Sequence, residues 1–338
     1  MRISVVILNW NGRQMLEQFL PSVCGYSNTD GVEIVVADNG STDDSISFLS
    51  TNYPEIRQII LDKNYGFSEG YNRALAQLDS EYFVLLNSDV EVTEGWLEPV
   101  TNYLDEHPDV AACQPKIRSY MNKEYFEHAG ACGGFIDMFG YPFCRGRVLN
   151  MLEKDNGQYD TMTDLFWATG AALFVRAEEF RKNRGFDKDF FAHMEEIDFC
   201  WRLKSRGKRI VCIPQSVVYH LGGGTLNVEN PRKTFLNFRN NLLMIYKNEL
   251  PGRLGKVLFV RFFLDYAAVF MFLLKGDVRN CKAVFSARKE FHRMKPLYQD
   301  VRQKNLEQTV NENIAEVFRQ SIIFNFYLRG IKTFREWR

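Results

Sequence analysis

The first 115 residues alternate between short apolar runs and longer segments in which apolar and polar positions repeat with helical spacing. The apolar runs predict strands buried on both faces, at residues 3–8, 33–37, 58–61 and 82–86. The segments between them predict helices at residues 13–24, 43–52 and 68–78. Repeated strand–helix units favour a parallel, doubly wound sheet, which binds its ligands at the carboxyl ends of its strands.

Polar residues follow three of the predicted strands at the end where ligands would bind. They are Asn9, Asn11 and Gly12 after the first strand, Asp38-Asn39-Gly40-Ser41 after the second, and Asn87-Ser88-Asp89-Val90-Glu91 after the fourth. Turns, helix caps and an acidic loop would also explain these residue types. A functional interpretation is more specific. The Asp38 carboxylate could accept the N3–H of uracil or thymine, and oxygen ligands from Asp89 and Glu91 would suit a hard divalent cation completed by a diphosphate.

A second acidic cluster contains Glu195, Glu196 and Asp198 and opens an amphipathic segment. A solvated helix start explains such a cluster, since acidic residues are favoured in the first turn. The alternative is a metal and general-base site, completed by His220 after a later strand-like run. At this point the sequence leaves both explanations open.

Composition and charge narrow the class of protein. Apolar residues make up 46% and charged residues 25% of 338 residues, as in a soluble globular protein. The net charge is zero, but residues 1–250 carry 25 Lys/Arg against 34 Asp/Glu, whereas residues 251–338 carry 17 against 8. The basic end suggests contact with an anionic surface. Seven cysteines without a Cys-x-x-Cys pair suggest free thiols in a reducing compartment.

Several common sites and signals are missing from the sequence. No Gly-x-Gly-x-x-Gly follows the first strand and no Gly-Lys-Ser/Thr is present, which argues against a dinucleotide site and a P-loop. The N-terminus lacks the roughly 7–15-residue apolar core of a signal peptide and is predicted to be a strand. We therefore expect a cytoplasmic protein, and we expect no nucleic-acid partner.

Taken in order, the motifs resemble those of the family 2 glycosyltransferases, especially the branch that includes rhamnosyltransferases. The resemblance covers about residues 3–245. It rests on residues 4–11, 35–43, 64–72 and 85–89, then Thr169-Gly170-Ala171, Gly185-Phe186-Asp187, Glu195-Glu196-Ile197-Asp198, Pro214 and His220-Leu221-Gly222-Gly223. It implies a GT-A nucleotide-sugar-binding fold with a mostly parallel central sheet. It also implies an inverting mechanism and a nucleotide-diphosphate sugar donor, which we expect to be a UDP- or dTDP-sugar such as dTDP-rhamnose.

The resemblance also implies roles for particular residues. Asp38 would bind the pyrimidine base, Asp89 and His220 would hold Mg²⁺ or Mn²⁺, and Glu196 would be the catalytic base, with Asp198 in reserve. Further donor-binding residues would be Asn9, Asn11, Asn39, Ser41, Asn64, Gly66, Phe67, Asn72, Asn87 and Ser88. Acceptor-binding residues would be Trp167, Gly170 and Glu195. The chain departs from the family pattern at Glu196, where an Asp is usual, and at Asn87, which removes one acid from the metal motif.

Residues 246–338 are predicted to form a helical, basic C-terminal region beyond a catalytic domain of residues 1–245. Residues 257–274 are heavily apolar, but Arg261 and Asp265 interrupt them with the spacing of a helical pair. Two central charges make a membrane span expensive. We therefore expect a packed helical hairpin or an interfacial helix, which would either attach the protein to an anionic membrane surface next to a glycan or lipid-linked acceptor, or mediate a homodimer.

Two other functions are compatible with parts of the sequence. A sugar-phosphate nucleotidyltransferase shares the sheet type but needs a Gly-rich, Arg-bearing loop after the first strand, of which Asn9-Trp10-Asn11-Gly12-Arg13 is a poor version. A non-catalytic sugar-nucleotide-binding or scaffold protein is the other alternative, because Glu196 replaces the usual Asp. Donor hydrolysis with and without metal would separate an enzyme from a binding protein.

Overall fold

A computed structural model describes residues 1–222 and 230–337. Gly223, the last residue of the motif that starts at His220, lies outside the described residues. The strands are β1 (Ile3–Asn9), β2 (Val32–Asp38), β3 (Arg57–Ile60), β4 (Tyr82–Asn87), β5 (Val90–Val92), β6 (Val110–Ser119), β7 (Gly134–Asp137), β8 (Pro142–Cys144), β9 (Arg147–Val148), β10 (Met151–Leu152), β11 (Thr163–Asp164), β12 (Ala172–Arg176), β13 (Arg209–His220) and β14 (Val317–Phe318). The α-helices are α1 (Arg13–Ser27), α2 (Ser45–Asn52), α3 (Gly66–Leu75), α4 (Glu98–Glu106), α5 (Ala177–Lys182), α6 (Glu195–Ser205), α7 (Pro231–Asn248), α8 (Pro251–Leu274), α9 (Val278–Met294), α10 (Gln299–Glu307) and α11 (Ile322–Leu328).

The central sheet has the strand order β11-β13-β6-β12-β4-β1-β2-β3, and β5 pairs with β13. The strands β4, β1, β2 and β3 are parallel, as the repeated strand–helix pattern predicts. Strand β12 then runs antiparallel to both β4 and β6, whereas β6 and β13 are parallel to each other. The sheet is therefore mixed, with its parallel half built from the N-terminal strands.

All the strands and helices predicted in the first 115 residues are present, with small differences at their ends. Helix α3, for example, begins at Gly66 rather than at residue 68 and ends at Leu75 rather than at residue 78. The prediction that every strand is buried on both faces is wrong for β3. It lies at the edge of the sheet, where Ile60 is 60% exposed. An edge strand has a neighbour on one side only, so its apolar residues receive less cover.

Apolar residues cover both faces of the central sheet. Because successive side chains of a strand point to opposite faces, Val5 belongs to one core cluster and its neighbour Val6 to the other. The cluster that contains Val6 also includes Leu242 of α7 and Phe291 of α9. The C-terminal helices thus complete the core on one face of the sheet.

A second, smaller sheet has the order β10-β9-β8-β7-β14 and brings the C-terminus back to residues 134–152. There Phe318 and Phe334 make ring contacts with Phe135 and Phe143. The expected domain boundary after residue 245 falls inside α7. Whether the two segments are separate folding units stays a prediction.

Helix α8 contains the apolar run predicted for the C-terminal region. The predicted ion pair is confirmed, since Arg261 Nε donates to Asp265 Oδ1 over 3.1 Å. Both side chains are buried against the protein. Among the described helices, α8 alone is long and apolar enough to cross a membrane by length and composition.

Candidate active site

The strand register brings the sequence motifs together at one edge of the sheet. Asn9, the last residue of β1, lies directly beside Asp38, the last residue of β2. On the other side of β1, Leu8 is paired with Asn87, the last residue of β4. Because these parallel strands end at the same level, their carboxyl-terminal loops line one crevice, where ligands bind in such sheets.

The loops after β1 and β2 are joined by a hydrogen-bond network around Asp38. Its Oδ1 accepts from the backbone N–H of Ser41 at 2.8 Å, and its Oδ2 accepts from Asn9 Nδ2 at 3.0 Å. The Ser41 hydroxyl accepts from the backbone N–H of Asn11, and Asn11 Oδ1 accepts from the backbone N–H of Thr42. Asp38 is buried and held rigidly, while its carboxylate retains lone pairs for a further donor.

The next part of the crevice is formed by the loop before α3. Asn39 Nδ2 donates to the backbone oxygen of Gly66, and Asn64 Oδ1 accepts from the backbone N–H of the same glycine. Gly66 has φ +76°, and a Cβ there would meet the Phe191 ring at 2.5 Å. The close approach therefore requires glycine. The ring of Phe67 lies 3.0 Å from where a Gly170 Cβ would be, so Gly170 borders the same loop.

Asp89, His220 and Glu127 form a buried row of polar groups. Antiparallel pairing of β5 with β13 places His220 opposite Val90, next to Asp89. His220 Nε2 lies 3.1 Å from Asp89 Oδ1, and His220 Nδ1 lies 3.1 Å from Glu127 Oε2. The amide nitrogen of Asn87 is 3.4 Å from His220 Nε2. The imidazole is thus held between two carboxylates that are distant in sequence.

The charges in this row shift one another's titration. Burial alone would lower the pKa of His220, but Asp89 and Glu127 together raise it to about 10. Burial raises the pKa values of Asp89 and Glu127, yet His220 lowers both below their ordinary values. With the imidazole protonated, two buried carboxylates share one cation, and a bound metal ion could take the place of the proton on Nε2.

Asp89 Oδ1 and His220 Nε2 are at hydrogen-bond distance, 3.1 Å. Adjacent ligands on an octahedral ion with bonds of about 2.1 Å are about 3 Å apart, so the same two atoms could hold a divalent cation. Among the described residues they are not part of a group of three or more His, Cys, Asp or Glu residues that could hold a metal ion. A carboxylate on the other nitrogen of a ligating histidine is the usual outer partner, because it fixes the tautomer and the ring orientation. Glu127 Oε2 lies 3.1 Å from that nitrogen, at ion-pair distance but without hydrogen-bond geometry. The metal roles of Asp89 and His220 stay predictions.

Glu195 and Glu196 begin α6 directly after a strained loop. Phe191, His193 and Met194 have φ values of 63°, 71° and 73°, a region that non-glycine residues rarely adopt. Side chains of α7 hold this loop, since Asn240 Nδ2 donates to the backbone oxygens of Phe190, Ala192 and His193. Strain that the surroundings maintain in this way is common at functional sites.

The two glutamates have carboxylate oxygens that no described residue satisfies. Oε2 of Glu195 and Oε2 of Glu196 are buried and have no hydrogen-bond partner within residues 1–222 and 230–337. Burial raises the pKa of Glu196 to about 7. Burial and the charge of Glu196 raise the pKa of Glu195 well above its ordinary value. A carboxylate with a pKa near neutrality is suited to accept a proton from a hydroxyl.

The structure corrects the catalytic prediction for Asp198. This carboxylate is fully buried and accepts hydrogen bonds from Arg202 Nε, Lys247 Nζ and Asn248 Nδ2. Lys247 also pairs with Asp187 of the Gly185-Phe186-Asp187 motif. Both oxygens of Asp198 are therefore engaged in an ion network, which disfavours Asp198 as a reserve base.

Two other predicted contacts are corrected for the same reason. Trp167, expected to bind the acceptor, is buried, and its indole Nε1 donates to the backbone oxygen of Phe135. Asn72, expected to bind the donor, uses both ends of its amide on the backbone of Phe186. Asn9 and Asn39 are likewise buried and position loops. Of the remaining predicted site residues, Asn11 is exposed, Glu195 is buried, and the others are partly buried, namely Ser41, Asn64, Asn87 and Ser88.

Sequence reasoning missed Glu127 and Asn240. Glu127 follows β6 in a loop without a recognisable motif, and only the β6–β13 pairing brings it to His220. Asn240 lies within an ordinary amphipathic helix pattern. Asn240 could have been noticed as a polar residue among the apolar positions of a predicted helix. No feature of the sequence points to Glu127.

Comparisons with known proteins identify the family of the chain. Residues 4–174 match the family described as "Glycosyl transferase family 2". A similar curated protein is an N-acetylglucosaminyl-diphospho-decaprenol L-rhamnosyltransferase of Mycobacterium tuberculosis, 26% identical over 233 residues, which cover 64% of this chain and 75% of that protein.

Two solved structures share the fold. S. aureus TarS in complex with UDP-GlcNAc superposes with a TM-score of 0.56 at 17% identity, covering 91% of this chain and 89% of that chain. The mannosyltransferase PcManGT from Pyrobaculum calidifontis, in complex with GDP-Man and Mn²⁺, superposes with a TM-score of 0.51 at 14% identity, covering 91% and 84%. At these identities the likeness establishes the fold, which is GT-A as predicted.

Proposed function

Because the chain belongs to glycosyl transferase family 2, we propose that it is an inverting, metal-dependent hexosyltransferase of cell-surface polysaccharide synthesis. The proposed donor is a UDP- or dTDP-sugar, with dTDP-rhamnose favoured by the rhamnosyltransferase relative. The proposed acceptor is a hydroxyl of a glycan or of a lipid-linked sugar. The family establishes sugar transfer, whereas the donor, acceptor and metal are parts of this proposal.

The observation that carries the proposal is the state of Glu196. Its carboxylate is held at the start of α6 by a strained loop, its pKa is raised to about 7 by burial, and its Oε2 has no partner among the described residues. An oxygen in this state can accept a proton near neutral pH. A purely structural carboxylate would be satisfied as Asp198 is.

The chain's own residues supply the remaining steps. Asp38, fixed by Ser41 and Asn9, accepts the N3–H of a pyrimidine base. The loop at Gly66 and Phe67, opposite Gly170, borders the sugar. Glu196 removes the proton of the acceptor hydroxyl as this oxygen attacks the anomeric carbon on the face opposite the diphosphate. One direct displacement inverts that carbon.

Asp89 and His220 would hold the divalent cation, with Asn87 near His220, and Glu127 would orient His220. Bound Mg²⁺ or Mn²⁺ would neutralise the charge that develops on the diphosphate leaving group. Mixed nitrogen and oxygen ligands favour Mn²⁺ modestly. The Mn²⁺ in the mannosyltransferase structure supports a metal in this fold.

The proposed location is the cytoplasmic face of the membrane. The relative's name specifies a decaprenol-linked sugar as the molecule on which it acts. A polyprenol-linked acceptor would lie in a membrane, so an enzyme using one would work at the bilayer surface.

A single assay tests the function. We expect transfer from a UDP- or dTDP-sugar that needs Mn²⁺ or Mg²⁺ and gives a product with the opposite anomeric configuration. Thermal shift with a panel of nucleotide sugars would select the donor beforehand. Binding of a nucleotide sugar without transfer or hydrolysis, with and without metal, would instead identify a non-catalytic binding protein.

A further inference from the structure

Helix α8 has its charged residues inside and its apolar residues outside. Arg261 and Asp265 are 2% and 0% exposed, whereas Phe259, Phe263, Phe270 and Leu274 are 66%, 57%, 59% and 67% exposed. Phe262, Met271 and Leu273 are also exposed. An exposed apolar surface of this extent marks an interaction site.

The inner face of α8 is fully committed to the protein. Asp265 accepts from Arg261 on its own helix and from Arg288 on α9. Arg261 also donates to Asn241 Oδ1 on α7 and to the backbone oxygen of Phe139. Crossing a membrane would require breaking these contacts and moving paired charges into hydrocarbon. Only the outer face of the helix is therefore available to a binding partner.

The charges around the outer face are positive. Exposed cations flank the apolar stripe at both ends, namely Arg253 and Lys256 before it and Lys275, Arg279 and Lys282 after it. Between residues 251 and 289 the acidic residues are Asp265, which is buried, and Asp277, which caps α9. Anionic headgroups on either side of an acyl-chain region would match this arrangement.

We propose that α8 lies in the plane of a lipid bilayer with anionic headgroups, with its phenylalanine stripe among the acyl chains and its flanking cations on the phosphates. This deepens the proposed function, on which it rests for the lipid-linked acceptor. A second copy of the chain fits less well. A two-fold partner would bring the cations at one end of α8 against cations of the other copy, whereas headgroup phosphates neutralise them.

The same helix connects the bilayer to the catalytic loop. Asn241, which accepts from Arg261, has its Nδ2 3.8 Å from the sulfur of Met194. Met194 directly precedes Glu195 and Glu196 at the start of α6. A helix anchored in lipid would therefore hold the proposed base close to the surface where a lipid-linked hydroxyl is presented.

The experiment measures co-sedimentation of the full-length protein with vesicles. We compare phosphatidylcholine vesicles with vesicles that also contain phosphatidylglycerol, at low and at high salt. The wild-type protein should bind the anionic vesicles more strongly, and part of that binding should persist at high salt. The double variant Phe263→Ser/Phe270→Ser should lower the partition coefficient by about tenfold or more, since the two exposed rings together contribute at least about one factor of ten.

Matched controls keep the outcome decisive. The double variant Ile60→Ser/Met121→Ser removes equally exposed apolar residues outside α8 and should bind like the wild type. In the Phe263→Trp variant, vesicles with brominated acyl chains should quench tryptophan fluorescence more than they do in the wild type. Attachment to the headgroups alone would not cause this additional quenching.

Two results would overturn the proposal. One is unchanged sedimentation of the Phe263→Ser/Phe270→Ser variant. The other is a lipid-free dimer that this variant dissociates, which would make a second copy the occupant. Transfer to a water-soluble acceptor is measured separately. This transfer should be unchanged in the Phe263→Ser/Phe270→Ser variant. If the wild type binds vesicles but transfers no sugar, the proposed function is wrong, whereas the membrane proposal stands.

Discussion

Glu127 Oε2 lies 3.1 Å from His220 Nδ1, on the side of the imidazole ring opposite Asp89. This contact joins the loop after β6 to the last residue of β13, across 93 positions of sequence. It leaves His220 Nε2 within hydrogen-bond distance of Asp89. Gly222 makes the contact possible, because a Cβ there would meet Glu127 Oε1 at 2.7 Å.

Glu127→Gln should therefore weaken Mn²⁺ binding by roughly 10–100-fold, the usual effect of losing an outer partner of a ligating histidine. Mn²⁺ titration of the protein with UDP present measures it, by calorimetry or by the loss of free-ion electron paramagnetic resonance signal. Glu124→Gln is the control, because Glu124 pairs with Lys154 at the surface. Equal Mn²⁺ affinities for the wild type and Glu127→Gln would show that Glu127 has no such role.

Glu196→Gln should lower kcat by about 10²-fold or more, since it keeps size and hydrogen bonding but removes basicity. The affinity for the nucleotide-sugar donor should be the same in the variant as in the wild type. In the wild type the base must be deprotonated, and its pKa is raised to about 7. Activity should therefore rise with pH through about 7 and fall below it. A flat profile between about pH 5 and 8, or normal turnover of the variant, would remove Glu196 from the mechanism.

Asp38→Asn should reduce the preference for uracil over cytosine. A carboxylate can accept the N3–H of uracil or thymine, whereas an amide can donate to the unprotonated N3 of cytosine. UDP binding should weaken by about 1–3 kcal/mol, and CDP binding should weaken less or improve. Calorimetric titration of both nucleotides against wild type and variant checks this. If the wild type binds UDP and CDP equally, the base assignment is wrong.

Lys247→Met should destabilise the fold by about 3–5 kcal/mol, because it leaves the buried carboxylates of Asp187 and Asp198 without their shared cation. Chemical denaturation measures the change in the free energy of unfolding. Lys304→Met, at an exposed position of α10, should change it by about 0.5 kcal/mol or less. Similar values for both variants would mean that the ion network adds no stability.

The sequence by itself determined the parallel half of the sheet and the positions of its loops. Short apolar runs and the helical spacing between them follow from local periodicity, which one chain segment carries alone. Parallel strands that start and end together must bring Asn9, Asp38 and Asn87 to one edge. The order of the motifs along the chain could also be recognised from the sequence, and this order indicated the family.

The tertiary structure decided which polar residues are free to act. Glu196 and Asp198 are two positions apart in one acidic cluster, yet Lys247 of the distant helix α7 pairs with Asp198 and not with Glu196. Glu127 gains its place beside His220 through the pairing of distant strands. The burial of Arg261 and Asp265 likewise turns the phenylalanines of α8 outward. Each of these outcomes depends on contacts between segments far apart in sequence, and local periodicity carries no information about such contacts.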